Sequence, residues 1–178
     1  MLQAQDTEAP AWPDEIFAVL EDLDVRQVVY VPDAGHSRLI TRCQEADAMT
    51  AVPLTTEEEG VALLAGTWLG GERGVLLMQS SGLGNCVNML ALTRVCRFPL
   101  LILVTMRGEP GEANPWQMPM GSIAGDVLRL SDVDVHVADA AERVALLVAE
   151  AGTAVFDRSS AAAVLIAQHV IGVKSFEK

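Results

Sequence analysis

The sequence predicts an α/β fold, a doubly wound and mostly parallel sheet with helices on both faces. Six short apolar segments alternate with segments of helical periodicity along the 178 residues, as expected of repeated strand–helix units. These apolar segments are hydrophobic at nearly every position, which is typical of strands buried on both faces of a parallel sheet. The length fits one compact domain, which we place at residues 13–174, between a polar leader at 1–12 and a tail at 175–178.

The elements follow from local patterns. The first helix is predicted from about 13 to 24, because Pro13 suits a helix start and apolar side chains recur after it at helical spacing. The first strand, QVVYV at 27–31, is rich in β-branched residues and stops at Pro32. The other strands are predicted at 51–54, 74–79, 100–105, about 133–137 and 161–167. The helices are predicted at about 36–45, at 57–69, from a glycine turn after 79 through Val95, as a short helix after 121, and at about 139–151.

Charge and composition exclude several classes of protein. Twenty-four acidic and twelve basic side chains give a net charge of −12, which opposes attraction to nucleic acid or anionic lipid. No apolar stretch reaches the ~18 residues of a membrane span, and the first residues lack the basic start of a signal peptide. Three cysteines without a CxxC pair and three scattered histidines argue against a disulfide framework and a metal site. We expect a cytoplasmic protein that binds no nucleic acid, membrane or metal by itself.

In this fold class ligands bind outside the carboxyl ends of the strands. The loops at that edge are 32–38, 55–59, 79–85 and 107–121. The loop TTEEEG opens a predicted helix with three carboxylates. Helix capping and the helix dipole account for two of them, and the third is free to be buried against a ligand.

The turn QSSGLGN, at 79–85, offers a second candidate. Its glycines, Gly82 and Gly84, allow the backbone to approach a ligand closely or to take positive φ, and the following helix offers amide donors to an anion. A plain strand-to-helix turn explains a lone GxG equally well. The turn is not a dinucleotide fingerprint, a phosphate loop or a GxSxG nucleophile elbow.

The two other loops carry charged and apolar residues. PDAGHSRL contains Asp33, His36 and Arg38; Asp33 or Ser37 could merely cap the next helix, and His36 could serve in proton transfer. RGEPGEANPWQMPMG, at 107–121, lacks periodicity and is apolar for a solvated loop. It suits an interface or a lid, or else an excursion that folds back on its own domain.

These motifs, VPDAGHSRL, the glutamates ahead of GVALLAGTWLGG, LLMQSSGLGN and RGEPGEANPWQMPMG, together resemble the pyrimidine-binding domain of thiamine-diphosphate enzymes. Within that family they are most similar to the α subunits of sulfopyruvate decarboxylases, and next to phosphonopyruvate decarboxylases. The resemblance covers roughly residues 13–174. It implies thiamine diphosphate as the cofactor and a glutamate that hydrogen-bonds the pyrimidine ring nitrogen, which starts the proton transfer that activates the cofactor.

The resemblance also implies site residues. The family spacing of nine residues before the helix glycine, Gly66, assigns the pyrimidine contact to Glu57, although a one-residue slip would assign it to Glu58. The remaining glutamates would then cap the helix. The implied cofactor contacts are Pro32, Glu57, Gly82 and Asn85. The implied substrate contacts are Asp33, His36, Arg38, Gln79 and Arg107, joined by amides of the GLGN turn.

One part of the family pattern is missing. The magnesium and diphosphate site uses a GDG motif followed by a later asparagine, and nothing here matches it; Gly125-Asp126 lacks the second glycine. The resemblance therefore implies a β subunit that carries the diphosphate and Mg²⁺, with segment 107–121 in the contact. The implied reaction is decarboxylation of an anionic 2-oxo acid, 3-sulfopyruvate, to sulfoacetaldehyde and CO₂. The alternatives are phosphonopyruvate, carboligation by the same cofactor, and a non-catalytic module on this fold.

Overall fold

The computed structural model describes residues 11–172 and contains one six-stranded sheet in which every strand pair is parallel. The predicted leader falls almost wholly outside the described residues, and the predicted tail falls entirely outside them. The strands are β1 Val25–Tyr30, β2 Thr50–Pro53, β3 Arg73–Gln79, β4 Leu100–Thr105, β5 Asp134–Ala138 and β6 Ala161–Ile166. The strand order is β2-β1-β3-β4-β6-β5, so the predicted α/β class is confirmed.

Helices cover both faces of this sheet. Within the described range they are α1 Trp12–Asp22, α2 Ser37–Glu45, α3 Glu57–Leu69, α4 Leu83–Cys86, α5 Ala91–Cys96, α6 Met118–Leu130, α7 Ala141–Arg158 and α8 Gln168–Ile171. Short 3₁₀ turns precede α4 at Ser80–Gly82 and α6 at Pro115–Gln117. No helix in the described part of the chain is long and apolar enough to cross a bilayer.

The sheet separates two apolar cores. Side chains of a strand alternate between its faces, so Leu101 and Leu103 of β4 pack with α1, α2 and α7, whereas Ile102 and Val104 pack with α3, α4 and α6. All six residues of β4 are buried. Burial on both faces explains why the strands are apolar at consecutive positions rather than alternating.

Three predicted helices differ from those observed. The helix expected through Val95 is interrupted: α4 ends at Cys86, and the amides of 91, 92 and 93 bond carbonyls three residues back rather than four. The interrupted stretch, 87–90, contains Val87 and Asn88, and β-branched residues and asparagine are weak helix formers. Helix α6 begins at Met118, inside the segment expected to be irregular, and spans 13 residues instead of a short turn.

Helix α7 continues to Arg158, seven residues beyond its predicted end. Gly152 lies in the helix interior, where a β-carbon would collide with Leu23. This glycine therefore lets α7 pack closely against the end of α1 rather than ending the helix. The four-residue helix α8 was not predicted.

Candidate functional site

Glu57 is the first residue of α3 and is 7% exposed. Its Oε2 accepts a hydrogen bond of 2.8 Å from Nδ2 of Asn85. The turn after β3 and the start of α3 therefore meet at the carboxyl edge of the sheet, as the topology requires. Among residues 11–172, no hydrogen bond reaches the other carboxylate oxygen, Oε1.

Gly82 lies directly against this carboxylate. A β-carbon at position 82 would come within 2.6 Å of Glu57 Cγ and closer still to the carboxylate atoms. The φ angle of Gly82 is −71°, so of the two alternatives, close approach or positive φ, the structure shows close approach. The glycine is required for close approach, and the group that approaches it is a side chain of this same chain.

The three adjacent glutamates have different surroundings. Glu59 is exposed, and its Oε2 accepts a 2.9 Å hydrogen bond from the backbone amide of Thr55, ahead of the helix. Glu58 is half-buried. Only Glu57 is buried against the GLGN turn. Of the two glutamates expected to cap the helix, Glu59 bonds an amide one residue ahead of the N-cap, Thr56.

Cys86 lies near Glu57 but has the character of a core residue. Burial, with smaller contributions from the negative charges of Glu57 and Glu58, raises the pKa of its thiol to about 12. The thiol is therefore protonated at neutral pH and is a poor nucleophile.

Asp33 connects three strand ends. Its Oδ1 accepts a 2.9 Å hydrogen bond from Nε2 of Gln79, and its Oδ2 accepts one of 2.7 Å from Oγ1 of Thr105. The amide of Gly35 also donates to Oδ2, at 3.0 Å. Neither Asp33 nor Ser37 caps α2, so the capping alternative is not observed. Thr105 ends the buried strand β4, and strand periodicity gave no indication that it contacts Asp33.

His36 faces the interior. The side chain is 1% exposed, and its Nε2 lies 3.1 Å from the carbonyl oxygen of Leu103, which assigns the ring proton to Nε2. Within the described range Nδ1 is buried without a hydrogen-bond partner. Burial lowers the pKa of His36, and the Asp33 charge opposes this only in part. The ring is therefore buried in the interior, and its predicted contact with a substrate stays a prediction.

Arg38 is also separated from the other predicted substrate contacts. Its guanidinium forms an ion pair with Asp14 of α1, and Nε donates to the same carboxylate at 3.3 Å. The side chain extends from the first turn of α2 across to the neighbouring helix.

Arg107 is paired with a residue that sequence reasoning missed. Its Nε and Nη2 donate to the two oxygens of Glu112 at 2.6 and 2.7 Å. Glu112 also accepts from the amides of Gly108 and Asn114 and from Nε2 of Gln168. The hydrogen bonds from Arg107 first, and then those from the amides of Asn114 and Gly108, lower the pKa of Glu112 to about 2, and the hydrogen bond to Glu112 raises the pKa of Arg107.

Gln168 fixes the same loop from the end of β6. It is 3% exposed. Its backbone amide donates to Glu109 Oε2 at 2.7 Å, and its side-chain Oε1 accepts from the backbone amide of Glu109 at 3.1 Å. Segment 107–114 is therefore held by internal hydrogen bonds, which argues against a mobile lid. Nothing in the local sequence links Gln168, which follows β6, to Glu112, which lies 56 residues earlier in the chain.

Two depressions lie beside these groups. A cavity of ≈ 240 Å³ is lined by Asp33, Gly35, Thr105, Arg107 and Gln168, among others. Pro32 instead lines a more open groove of ≈ 460 Å³ with Tyr30 and Gln44, over α2. In the described part of the chain, no three acidic, histidine or cysteine side chains cluster as a metal site.

The loop after β4 and the GLGN turn form one continuous surface. The amide of Arg107 donates to Ser80 Oγ at 3.0 Å, and a β-carbon on Gly84 would lie 3.6 Å from the Met120 sulfur. Gly121 packs against the Arg107 carbonyl so closely that no side chain fits there. Large apolar side chains near this contact are exposed: Trp116 by 80%, Ile123 by 47%, Val87 by 45% and Met118 by 44%.

Comparison with known proteins identifies relatives of this chain. Residues 13–122 match the family described as thiamine pyrophosphate enzyme, N-terminal TPP binding domain. Sulfopyruvate decarboxylase subunit alpha of Methanothermobacter thermautotrophicus is 36% identical over 121 residues, which cover 67% of this chain and 73% of that subunit. Phosphonopyruvate decarboxylase of Streptomyces viridochromogenes is 39% identical over 122 residues, 67% of this chain. This chain spans 31% of the length of that second relative.

The fold also has a counterpart among solved structures. The 2-oxoglutarate:ferredoxin oxidoreductase of Magnetococcus marinus, solved with 2-oxoglutarate, coenzyme A and succinyl-CoA bound, matches 90% of this chain and 29% of its own chain with a TM-score of 0.71. The identity is 12%, so the likeness concerns the fold alone.

Proposed function

The chain belongs to the thiamine pyrophosphate enzymes, as their N-terminal TPP binding domain, and on that premise we propose that it is the pyrimidine-binding α subunit of a decarboxylase acting on 3-sulfopyruvate. The products would be sulfoacetaldehyde and CO₂. Thiamine pyrophosphate, also called thiamine diphosphate, supplies the electron sink for such a reaction when bound.

The observation that carries the proposal is the buried Glu57 carboxylate against Gly82. One of its oxygens is held by Asn85, and no described residue donates to the other. A carboxylate shielded from water accepts a hydrogen bond from a ring N–H with little competition from solvent. The Gly82 contact also leaves no side chain between the carboxylate and the turn. These residues fit a flat heteroaromatic ring.

We assign Glu57 to hold the proton at the pyrimidine nitrogen. Asn85 fixes the orientation of the carboxylate, and Gly82 sets how deeply it lies. Asp33 and Gln79, joined by their hydrogen bond, are the proposed substrate contacts from this chain. A correctly positioned proton-transfer partner, the role assigned to Glu57, increases the reaction rate by about 10²–10⁴.

The diphosphate and its Mg²⁺ are assigned to a β subunit. The GDG motif and later asparagine are absent from this sequence, and the relatives named as subunit alpha support a partner chain. Val87 follows the GLGN turn in the chain, and the exposed side chains of Trp116, Met118 and Ile123 lie in or next to α6, whose Met120 faces Gly84. Such a patch beside a ligand site is typical of a protein–protein interface.

Phosphonopyruvate is the second candidate substrate. The relative that bears that name is 39% identical to this chain, against 36% for the sulfopyruvate decarboxylase subunit. Both acids carry a carboxylate and a tetrahedral anionic head.

The test is CO₂ release by the chain mixed with its partner, thiamine diphosphate and Mg²⁺. We expect kcat/KM for 3-sulfopyruvate to exceed that for phosphonopyruvate by about tenfold or more, a difference of about 1.4 kcal/mol in transition-state binding. The reverse order would assign the phosphonate. Failure to release CO₂ from either acid, or formation of a ligated product without the aldehyde, would reject the decarboxylase assignment.

A further inference from the structure

The basic residues predicted to bind the substrate are all engaged elsewhere. His36 is buried against the Leu103 carbonyl, and Arg38 is paired with Asp14. Arg107 is paired through two hydrogen bonds with Glu112, whose side chain is 1% exposed. The third arginine at this edge, Arg143, has its Nη1 3.4 Å from Oδ1 of Asp139.

Arg42, in the last turn of α2, also reaches the carboxylate of Asp14, with its Nε 3.7 Å from Oδ1. The remaining arginines of the described range lie at the opposite edge. In a parallel α/β fold, helix C-termini lie beside the strand starts, where cations complement the helix dipole. Arginines accordingly occupy the last turns of α5, α6 and α7. These arginines and the others near the strand starts are Arg26, Arg73, Arg94, Arg97, Arg129 and Arg158.

The carboxyl edge is acidic for the same reason. Helix N-termini point there, and α1, α3 and α7 carry acidic residues in their first turns. Asp33 and Glu109 add to this charge around the cavity beside Arg107, where the charge of Glu112 is balanced by its ion pair. In the GLGN turn the Glu57 carboxylate lies against Gly82 and brings a further negative charge to this edge. A dianionic substrate at this edge would meet uncompensated like charge.

We propose that the cations that recognise the anionic groups of the substrate come from the polypeptide that carries the diphosphate site. That partner therefore presents a basic face to the carboxyl edge of this chain. The inference rests on the proposed function and extends it to the origin of specificity. Opposite charges on the two faces would also steer the subunits into register.

The test uses the assembled enzyme and 3-sulfopropanoate, a non-reactive analogue that retains both anionic groups. Its inhibition constant is measured for the double variant Arg107→Gln/Glu112→Gln. This variant removes both charges of the buried ion pair at once, so that neither is left unpaired. Lys174→Gln and Lys178→Gln are measured in parallel, because these two lysines lie outside the described residues. Each arginine and lysine of the partner is then replaced by glutamine.

We expect the variants of this chain to keep the inhibition constant within about threefold, and at least one partner variant to raise it about tenfold or more, as when a charge-assisted hydrogen bond is lost. A tenfold rise in the double variant or in a lysine variant would overturn the inference, as would a partner scan without any such rise. The partner scan decides the matter even if the double variant does not fold. Failure of the proposed function would be distinct, because the unmodified enzyme would then release no CO₂ from 3-sulfopyruvate.

Discussion

The carboxylate of Glu57 occupies the space where any residue other than glycine at position 82 would place its β-carbon. The two residues belong to different loops, so the turn after β3 and the start of α3 determine each other's position. Asn85 reinforces the contact by donating to the same carboxylate. Several of the following predictions test this contact and its surroundings.

Gly82→Ala should displace the Glu57 side chain. The added methyl group overlaps the carboxylate, and overpacking of this kind costs about 1–3 kcal/mol. We expect lower thermal stability and weaker binding of thiamine diphosphate, measured by calorimetry on the assembled enzyme. Gly84→Ala is the matched control, because its nearest contact is the Met120 sulfur at 3.6 Å. Equal effects of the two substitutions would contradict the contact.

Glu112→Gln should destabilise the loop after β4. An amide cannot replace a carboxylate that accepts from Arg107, Gln168 and two backbone amides, and lost hydrogen bonds to a charged group cost about 1.5–3 kcal/mol. Denaturant unfolding at neutral pH measures the loss. An unchanged midpoint would show that the loop does not depend on this carboxylate.

The same carboxylate predicts an acid dependence. The folded pKa of Glu112, about 2, lies below the ordinary value of 4.5, so its contribution is present above pH 4.5 and is lost as the pH falls from 4.5 to 2. The free energy of unfolding of the unmodified protein should fall more steeply in this window than that of Glu112→Gln. Parallel curves for the two proteins would contradict the assignment.

His36 predicts a second pH dependence. Burial lowers its folded pKa below 6.5, so the unfolded chain binds the proton first; the stabilisation is full above pH 6.5 and decreases as the pH falls toward the folded pKa. His36→Gln keeps an amide donor for the Leu103 carbonyl but does not titrate. Below pH 6.5 the free energy of unfolding of this variant should change less with pH than that of the unmodified protein. Denaturant unfolding at a series of pH values measures both.

Arg38→Gln should have little effect on catalysis. The guanidinium is paired with Asp14 on the surface, and such ion pairs contribute about 0.2–1 kcal/mol to stability. Steady-state kinetics of the assembled enzyme should give a KM within about twofold of the unmodified value. A large rise in KM would show that Arg38 contacts the substrate, as the sequence suggested.

The sequence was sufficient for the fold because burial on both faces leaves a continuous apolar pattern in each strand. The sequence also sufficed to single out Glu57 among the three adjacent glutamates, because the resemblance supplied the spacing to Gly66. It did not reveal the partners of Arg38, His36 and Arg107, because residue type and loop position do not identify a counter-ion or a hydrogen-bond acceptor. Asp14, Glu112 and Gln168 reach these loops from other elements, and only the tertiary structure brings them together.

The central claim is that Glu57 holds the proton at the cofactor's pyrimidine nitrogen, and the most direct measurement is the turnover of Glu57→Gln beside Glu59→Gln in the assembled enzyme. Glutamine keeps the size of the side chain but not its charge. We expect Glu57→Gln to lower kcat by about a hundredfold or more, and Glu59→Gln, which alters only the Thr55 contact, to lower it by less than about threefold. Near-normal turnover of a correctly folded Glu57→Gln enzyme would contradict the account.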